Sequence, residues 1–332
     1  MLPELTDLLR NVRVVALPLR TRFRGITVRE AALFEGPQGW TEFSPFVEYD
    51  DHEASAWLHA AIDFGWRPPP TPLRSRIPVN ATIPAVGADE VQDILARYPG
   101  VRTAKVKVAE PGQTLSEDIA RVRAVRELLG PEGRIRIDAN GLWNVDEAEH
   151  AVHALASFDL EYVEQPCATI DELAEIRRRT AYMDVPIAAD ESVRKAADPL
   201  AVARAGAADL LVVKAQPLGG IHSALRMIAE TGLPVVVSSA IDTSIGIAMG
   251  AHLAAAIPTL DYDYDCGLGT AAMFQQDVTD EPLLPVDGAI PVVRPTVSEA
   301  RLDATAAEAD RRDWWLDRIR RCYRLVERAT AL

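Results

Sequence analysis

Cysteine is scarce: Cys167, Cys266 and Cys322 are widely separated, and no C-x-x-C pair occurs. That excludes a disulfide framework and points to a reducing, cytoplasmic setting. Basic charge is short as well, with 35 Lys and Arg against 49 Asp and Glu, a net charge of −14 and a pI near 4.9. Neither a nucleic acid nor an anionic membrane is the expected partner of such a chain. No apolar run approaches the roughly 18 to 20 residues that cross a bilayer. Met1 to Val15 carries acidic and polar residues where a secretion signal needs a basic start and an apolar core.

What is present describes a globular chain with a sizeable core: 48% of residues are hydrophobic and 25% charged. A length of 332 residues suits one large domain with a smaller companion. Short alternating segments at Val12 to Leu19, Ile26 to Phe34 and Trp40 to Phe43 predict an antiparallel sheet of three strands, followed by a helix over Asp51 to Phe64. Four prolines between Arg67 and Leu73 then break both kinds of element. They place a boundary there, with an α+β domain over residues 1–75.

Beyond it, strand and helix alternate. Strands are expected at Ile77 to Ile83, Thr103 to Val108, Arg134 to Asp138, Leu160 to Glu164, Val185 to Asp190, Asp209 to Lys214, Pro234 to Ser239 and Leu260 to Tyr264. Helical windows fall near Asp89 to Arg97, Ser116 to Leu129, Val145 to Ala156, Ile170 to Thr180, Pro199 to Ala205, Ile221 to Thr231 and Ser244 to Ala256. Eight strands with seven helices between them predict an α/β fold, a modified TIM barrel of (β/α)7β type over 76–285. Residues 286–332 hold a turn at Asp287-Gly288 and an Arg-rich helix that returns to the N-terminal domain.

The organising stretch is Ala104 to Val108, Ala-Lys-Val-Lys-Val. Lys105 and Lys107, two apart in a β-branched run, emerge on one face of a strand, and that face is no ordinary core. Asp138 ends the next apolar run, Glu164 and Asp190 end two more at steps of 26 residues, and Lys214 ends another 24 residues later. Such a step is about one strand, one helix and two short loops. The five charges therefore stand at the carboxyl ends of five successive parallel strands.

In a parallel barrel those ends ring one mouth. Three carboxylates converging there need a counter-charge, and an all-oxygen set favours a hard divalent cation, Mg²⁺ with Mn²⁺ as a substitute. One acid at a strand end would as readily cap the following helix or pair with a surface lysine; three in register point to a metal. Lys107 and Lys214 flank the acid-bearing strands and face one another across the site. An amine acts as a base only when neutral, and both Lys105 and a nearby cation disfavour the charged form of Lys107. Taken alone, Lys105 and Lys107 fit better as counter-ions for the acids. With the opposed lysine and the metal, the set suits abstraction of a proton α to a carboxylate, through an enolate dianion.

Ala-Lys-Val-Lys-Val, Asp138-Ala139-Asn140, Glu164-Gln165-Pro166, Asp190-Glu191-Ser192 and Lys214 with Gly219-Gly220 together resemble the muconate-lactonizing subgroup of the enolase superfamily, where a lysine base works with Mg²⁺. Ser238 to Ser244 and Gly267 to Thr270 look like the members of that subgroup that make o-succinylbenzoate for menaquinone biosynthesis. The resemblance spans nearly the whole chain, including the Gly39 to Pro45 segment of a capping domain. It implies an α+β cap on a (β/α)7β barrel and Mg²⁺ held by Asp138, Glu164 and Asp190. It also implies syn dehydration of 2-succinyl-6-hydroxy-2,4-cyclohexadiene-1-carboxylate, with Lys107 as base and then acid, and Lys214 as the charge that stabilises the enediolate.

Asn140 would orient a ligand or the substrate carboxylate, or equally form a turn, and Glu191 would pair with Lys105 behind the ligands. Ser238, Ser239, Gly267 and Leu268 are candidates for holding the succinyl carboxylate, or for tight strand-end packing. Gly219-Gly220 reads as a strand-to-helix turn that could also hold an anion. The cap loops Arg20 to Gly25 and Phe46 to Asp51 would set selectivity, with Arg22 and Arg24 within reach of the small anionic carboxylate substrate.

The same lysine pair would serve an N-succinylamino acid racemase or dipeptide epimerase. Ser238-Ser239 differs from the Gly-Gly-Met of such relatives and favours dehydration. A non-catalytic anion-binding protein on the same scaffold is the remaining alternative, and it conflicts with the intact set of five charges. None of the six histidines closes a barrel strand, unlike mandelate-racemase-like members with a histidine base. The sequence sets no oligomeric state.

Overall fold

The computed structural model describes residues 2–194, 198–258 and 264–330. After a short helix, α1 (Leu5–Leu9), the strands β1 (Arg13–Phe23), β2 (Ile26–Gly36) and β3 (Gly39–Phe43) form the expected antiparallel sheet in that order. The first two are joined at Arg24-Gly25, whose φ angles of 49° and 78° suit a two-residue hairpin. Asp50 opens α2 (Asp51–Trp66) by accepting from Glu53 N at 2.8 Å. The sheet and α2 bury Leu17, Leu33, Phe34, Phe43 and Trp57 together with Trp315 of the C-terminal helix.

The prolines end α2, and a short strand, β4 (Arg76–Pro78), follows. The barrel then runs as β5 (Ala81–Ile83), α3 (Val91–Leu95), β6 (Thr103–Lys107), α4 (Leu115–Leu129), β7 (Arg134–Asp138), α5 (Val145–Leu155), β8 (Leu160–Glu164), α6 (Ile170–Thr180), β9 (Ile187–Ala189), α7 (Glu191–Arg194), α8 (Ala201–Arg204), β10 (Leu210–Lys214), α9 (Ile221–Thr231), β11 (Val235–Ser238) and α10 (Ser244–Ala256). Thr114, Asn144 and Thr169 start α4, α5 and α6 as capping boxes with the glutamate three residues on.

β5 to β11 make one parallel sheet in sequence order. Its edges meet through residues 266 and 267: Cys266 N donates to Pro78 O and Gly267 N to Val237 O, both at 2.8 Å. Parallel bridges there join Val79 to Cys266 and Ser238 to Gly267, which closes the barrel. Alternate strand residues such as Val106, Ile137, Val163 and Val213 pack under the helices, and their neighbours fill the interior, where Tyr162, Ala188, Leu210, Val212 and Val236 cluster.

Two expectations change, and one lies largely outside the described residues. The strand expected over Ile77 to Ile83 is two: β4 leaves the barrel to pair antiparallel with β12 (Ala289–Pro291), and only β5 joins the sheet. The eighth strand, expected at Leu260 to Tyr264, falls largely outside the described residues, and the closing bridges lie at Cys266 and Gly267. A turn of helix, α7, directly follows Asp190, where none was expected.

The chain ends in α11 (Glu299–Ala304) and α12 (Ala309–Thr330). The latter lies along α2, with Arg318 donating to Phe46 O at 3.1 Å. Among the described residues no helix is long and apolar enough to cross a membrane.

Candidate active site

Strand register brings the charges to one level. Lys107 pairs with Asp138 and Asp138 with Glu164, while Lys214 pairs with Ser238. Asp190 follows β9 by one residue. In an eight-membered ring β6 and β10 are four strands apart, so Lys107 and Lys214 approach from opposite walls. All six charged side chains are buried: Lys105, Lys107 and Lys214 are 7 to 8% exposed, and Asp138, Glu164 and Asp190 at most 1%.

The acids are held mainly by the ammoniums. Lys105 donates to Asp138 Oδ2 at 3.0 Å and to Glu164 Oε1 at 2.7 Å. Lys107 donates to Asp138 Oδ2 and, at 2.7 Å, to Asn140 Oδ1, and Lys214 donates to Asp190 Oδ2. Among the described residues no three His, Cys, Asp or Glu side chains are gathered closely enough, as they stand, to hold a metal ion. Asp138 and Glu164 share the Lys105 ammonium, Asp138 takes Lys107 as well, and Asp190 takes Lys214. A divalent ion nevertheless suits this donor set. It is all oxygen and sits at adjacent strand ends, and Glu164 Oε2 is buried with no hydrogen-bond partner.

Burial and charge separate the titrating groups. Burial and the Asp138 carboxylate push Glu164 up to about 7. Asp138 goes the other way: burial opposes its ionisation, but Lys105 and Lys107 overcome that and hold it well below the usual carboxylate range. Lys105 is held well above the ordinary lysine value because Asp138 and Glu164 outweigh its burial. Lys107 lies below that value through burial and, after the opposing pull of Asp138, through repulsion from Lys105. Of the two lysines on this strand face, Lys107 is thus the one whose charge is less supported.

The other candidates divide. Asn140 takes a left-handed turn (φ 49°) and joins the charged cluster: its N–H donates to Asp138 Oδ1 at 3.0 Å and its Nδ2 to Glu191 Oε1 at 3.1 Å. The expected Glu191–Lys105 pair is therefore replaced by Glu191–Asn140, because Asp138 and Glu164 absorb the Lys105 ammonium. Ser238 and Ser239 line the mouth with Gly267, and Ser239 Oγ reaches Gly267 O and Thr270 Oγ1 at 2.8 Å each. A Cβ on Gly267 would lie 2.4 Å from Ser238 Oγ, so any side chain there would have to turn that hydroxyl away. The Leu268 side chain points away into the barrel core against Gly250. Gly219 and Gly220 form the turn, and the anion at that helix start is Asp63, which accepts from His222 N at 3.3 Å.

The cavity is tight, with about 40 Å³ open to water. Phe23, Arg24, Phe46 and Trp57 cover it from the cap. Arg24 lies 4.3 Å from the centre of the Phe46 ring, and a groove lined by Arg22, Arg24, Lys107 and Asn140 leads outward. Sequence reasoning missed Trp57, whose helical spacing reads as core. It also missed the bridging role of Gln165, whose Oε1 accepts from Asp190 N at 2.9 Å and Ser192 N at 3.2 Å and fixes the turn that carries Asp190. Its place next to Glu164 was the available signal.

Residues 88–296 match the family described as enolase C-terminal domain-like, and residues 14–65 that described as enolase N-terminal domain-like. The o-succinylbenzoate synthase of Mycobacterium tuberculosis is 57% identical over 326 residues, 98% of this chain and 97% of that one. That of Mycobacterium leprae is 57% identical over 327 residues, 98% of this chain and 95% of its own. Among solved structures, the muconate lactonizing enzyme of Pseudomonas putida superposes with a TM-score of 0.72 at 17% identity, covering 90% of this chain and 98% of that one. The N-succinyl Arg/Lys racemase of Bacillus cereus superposes at 0.70 with 20% identity, over 90% and 97%.

Proposed function

The chain belongs to the o-succinylbenzoate synthases of the enolase superfamily, and from that footing we propose that it removes water from 2-succinyl-6-hydroxy-2,4-cyclohexadiene-1-carboxylate to give o-succinylbenzoate. The observation that carries the mechanism is the placement of Lys107 and Lys214 on opposite walls of a buried mouth, with three acid-bearing strands between them.

Lys107, as the free amine, takes the proton from the carbon bearing the carboxylate, and the C–H electrons pass into an enediolate. Lys214, as the ammonium, faces the developing negative charge. Collapse of the enediolate forms the ring double bond and expels the hydroxyl of the neighbouring carbon on the same face. The Lys107 ammonium returns its proton to that hydroxyl, and water leaves. The third ring double bond completes an aromatic system, so the elimination is downhill and needs only moderate help.

Asp138, Glu164 and Asp190 would hold the divalent ion, which we assign as Mg²⁺ from the hard oxygen set. When bound it supplies positive charge for the enediolate oxygens and further disfavours protonation of Lys107. Ser238 and Ser239, whose hydroxyls line the cavity, would bind the succinyl carboxylate, while the Gly267 main chain is spent on strand closure, its N–H donating to Val237 O and its carbonyl accepting from Ser239. On the same reading the chain divides into a cap (1–75), a barrel (76–285) and a C-terminal segment (286–332) that packs against the cap. Three buried, unpaired cysteines fit a cytoplasmic enzyme of menaquinone biosynthesis.

The test is incubation of the purified protein with the cyclohexadiene carboxylate and, separately, with N-succinylamino acids in D₂O, with Mg²⁺, with Mn²⁺ and with chelator. Metal-dependent formation of o-succinylbenzoate is expected. Deuterium exchange of the amino acids with no dehydration would overturn the assignment in favour of a racemase.

A further inference from the structure

Four residues just past barrel strands lie in the left-handed region: Ala109, Asn140, Gln165 and Ile241, at φ 61°, 49°, 40° and 59°. Asparagine tolerates this; a β-branched residue does not, because its Cβ crowds the carbonyl. Such a conformation survives only where its surroundings over-determine it, and those places gather at functional sites. Ile241 is 2% exposed and lines the cavity beside Ser238, Ser239 and Ala240.

What holds it comes from the cap. Arg29, on β2 and 2% exposed, donates from Nε to Ile241 O at 3.1 Å and from Nη2 to Ala240 O at 3.3 Å. Nη2 also donates to Ser44 O, and the Phe46 ring centre lies 4.3 Å from the guanidinium. Glu42, on β3, secures the far side: its Oε2 accepts from Thr243 N and Gly246 N at 3.1 Å each, and its Oε1 from Ser44 Oγ at 2.6 Å. Gly246 makes that approach feasible, since a Cβ there would lie 2.9 Å from Glu42 Cδ. Neither Arg29 nor Glu42 is among the residues lining the cavity.

We infer that Arg29 is a positioning residue: it pins the Ala240-Ile241 turn in its left-handed form and so sets the segment from Ser238 to Ile241 against the remote carboxylate of the substrate, with Glu42 anchoring the helix start behind it. The inference depends on the proposed reaction only for the identity of the substrate. A packing role alone would lower stability whatever residue stands at 241. A role in holding the turn disappears when the turn no longer needs holding.

The experiment is a kinetic cycle. Arg29→Met is measured in the wild-type, Ile241→Gly and Ile241→Ala backgrounds. Glycine removes the left-handed penalty, and alanine removes the same side chain while keeping most of that penalty. Arg29→Met is expected to raise KM by about tenfold in the wild-type and alanine backgrounds with kcat within about threefold, and to raise KM by less than about threefold in the glycine background. An equal factor in all three backgrounds, or a loss carried by kcat, overturns the inference. If Arg29→Met fails to fold, Arg29→Lys takes its place and the same ratios decide. Wild-type turnover reports separately on the reaction. Were N-succinylamino acids the substrate instead, the cycle would be read on their exchange, so the two failures stay distinct.

Discussion

Replacing Lys105 by methionine removes an ammonium that bridges two buried carboxylates, Asp138 at 3.0 Å and Glu164 at 2.7 Å, with almost no volume change. Breaking a buried pair from one side costs roughly 3 to 5 kcal/mol when the orphaned partner must stay charged. Glu164 has an escape. Its carboxyl already titrates at about 7, so losing Lys105 drives it to take up a proton, which limits the loss at pH 7. Above pH 7 the limit lifts. A carboxyl whose folded pKa exceeds its unfolded value binds more protons folded than unfolded, so stability falls as pH rises toward the folded pKa, by about 1.4 kcal/mol per pH unit. The gap between wild type and Lys105→Met should therefore widen by about 2 kcal/mol from pH 7 to pH 8.5. At on the order of 2 °C per kcal/mol for a chain of this size, that is about 4 °C in Tm. Thermal melts in chelator at the two pH values read it directly. A gap that is the same at both would refute the view that Lys105 neutralises a titrating Glu164.

Lys107→Ala should lower kcat by about 10⁴, or about 5 kcal/mol, because one side chain acts in both proton transfers. Its melting temperature should stay within a few degrees of wild type, since the ammonium removed is one that burial disfavours; turnover above 1% of wild type would remove Lys107 from the base role. The rate should rise with pH through a Lys107 pKa that burial and Lys105 set below the ordinary lysine value. In a pH profile of kcat/KM, Lys105→Met should shift that limb upward by relieving the repulsion, and a limb that does not move, or moves down, counts against the assignment. Gly267→Ala would bring a methyl to 2.4 Å from Ser238 Oγ; KM is expected to rise by about tenfold, since the serine must turn away, and unchanged KM would show that the serines do not face the substrate.

The fold was legible where local chemistry and global architecture agree. The steps between strand-end charges reported the barrel because each strand-plus-helix unit must return to the same rim. The break inside Ile77 to Ile83 was not legible, since apolar alternation is the same whether a segment pairs with the barrel or, like β4, with a distant strand. The bridging at residues 266 and 267 left no mark for a related reason: it is held by two pairs of backbone bonds, too short a ladder to leave a periodic pattern.

The site shows the same division at finer scale. Lys105, Lys107, Asp138, Glu164, Asp190 and Lys214 could be read because strand periodicity converts sequence spacing directly into position on a rim. Their partners could not, because who pairs with whom depends on side-chain reach across the mouth: Glu191 goes to Asn140 since Lys105 is already taken by two acids. Arg29 lay further still from view. On the sequence it is one arginine among several across the cap strands, and an isoleucine in left-handed conformation has no sequence mark at all. Only with both in place does the asymmetry emerge: the barrel supplies the reacting groups at its strand ends, while the cap fixes, through two backbone carbonyls, the shape of the segment facing them. On the proposed mechanism, chemistry comes from the barrel rim and the shape of the segment facing it from the cap. Substitutions at Arg29 should accordingly change which carboxylates are accepted before they change how fast a proton is moved.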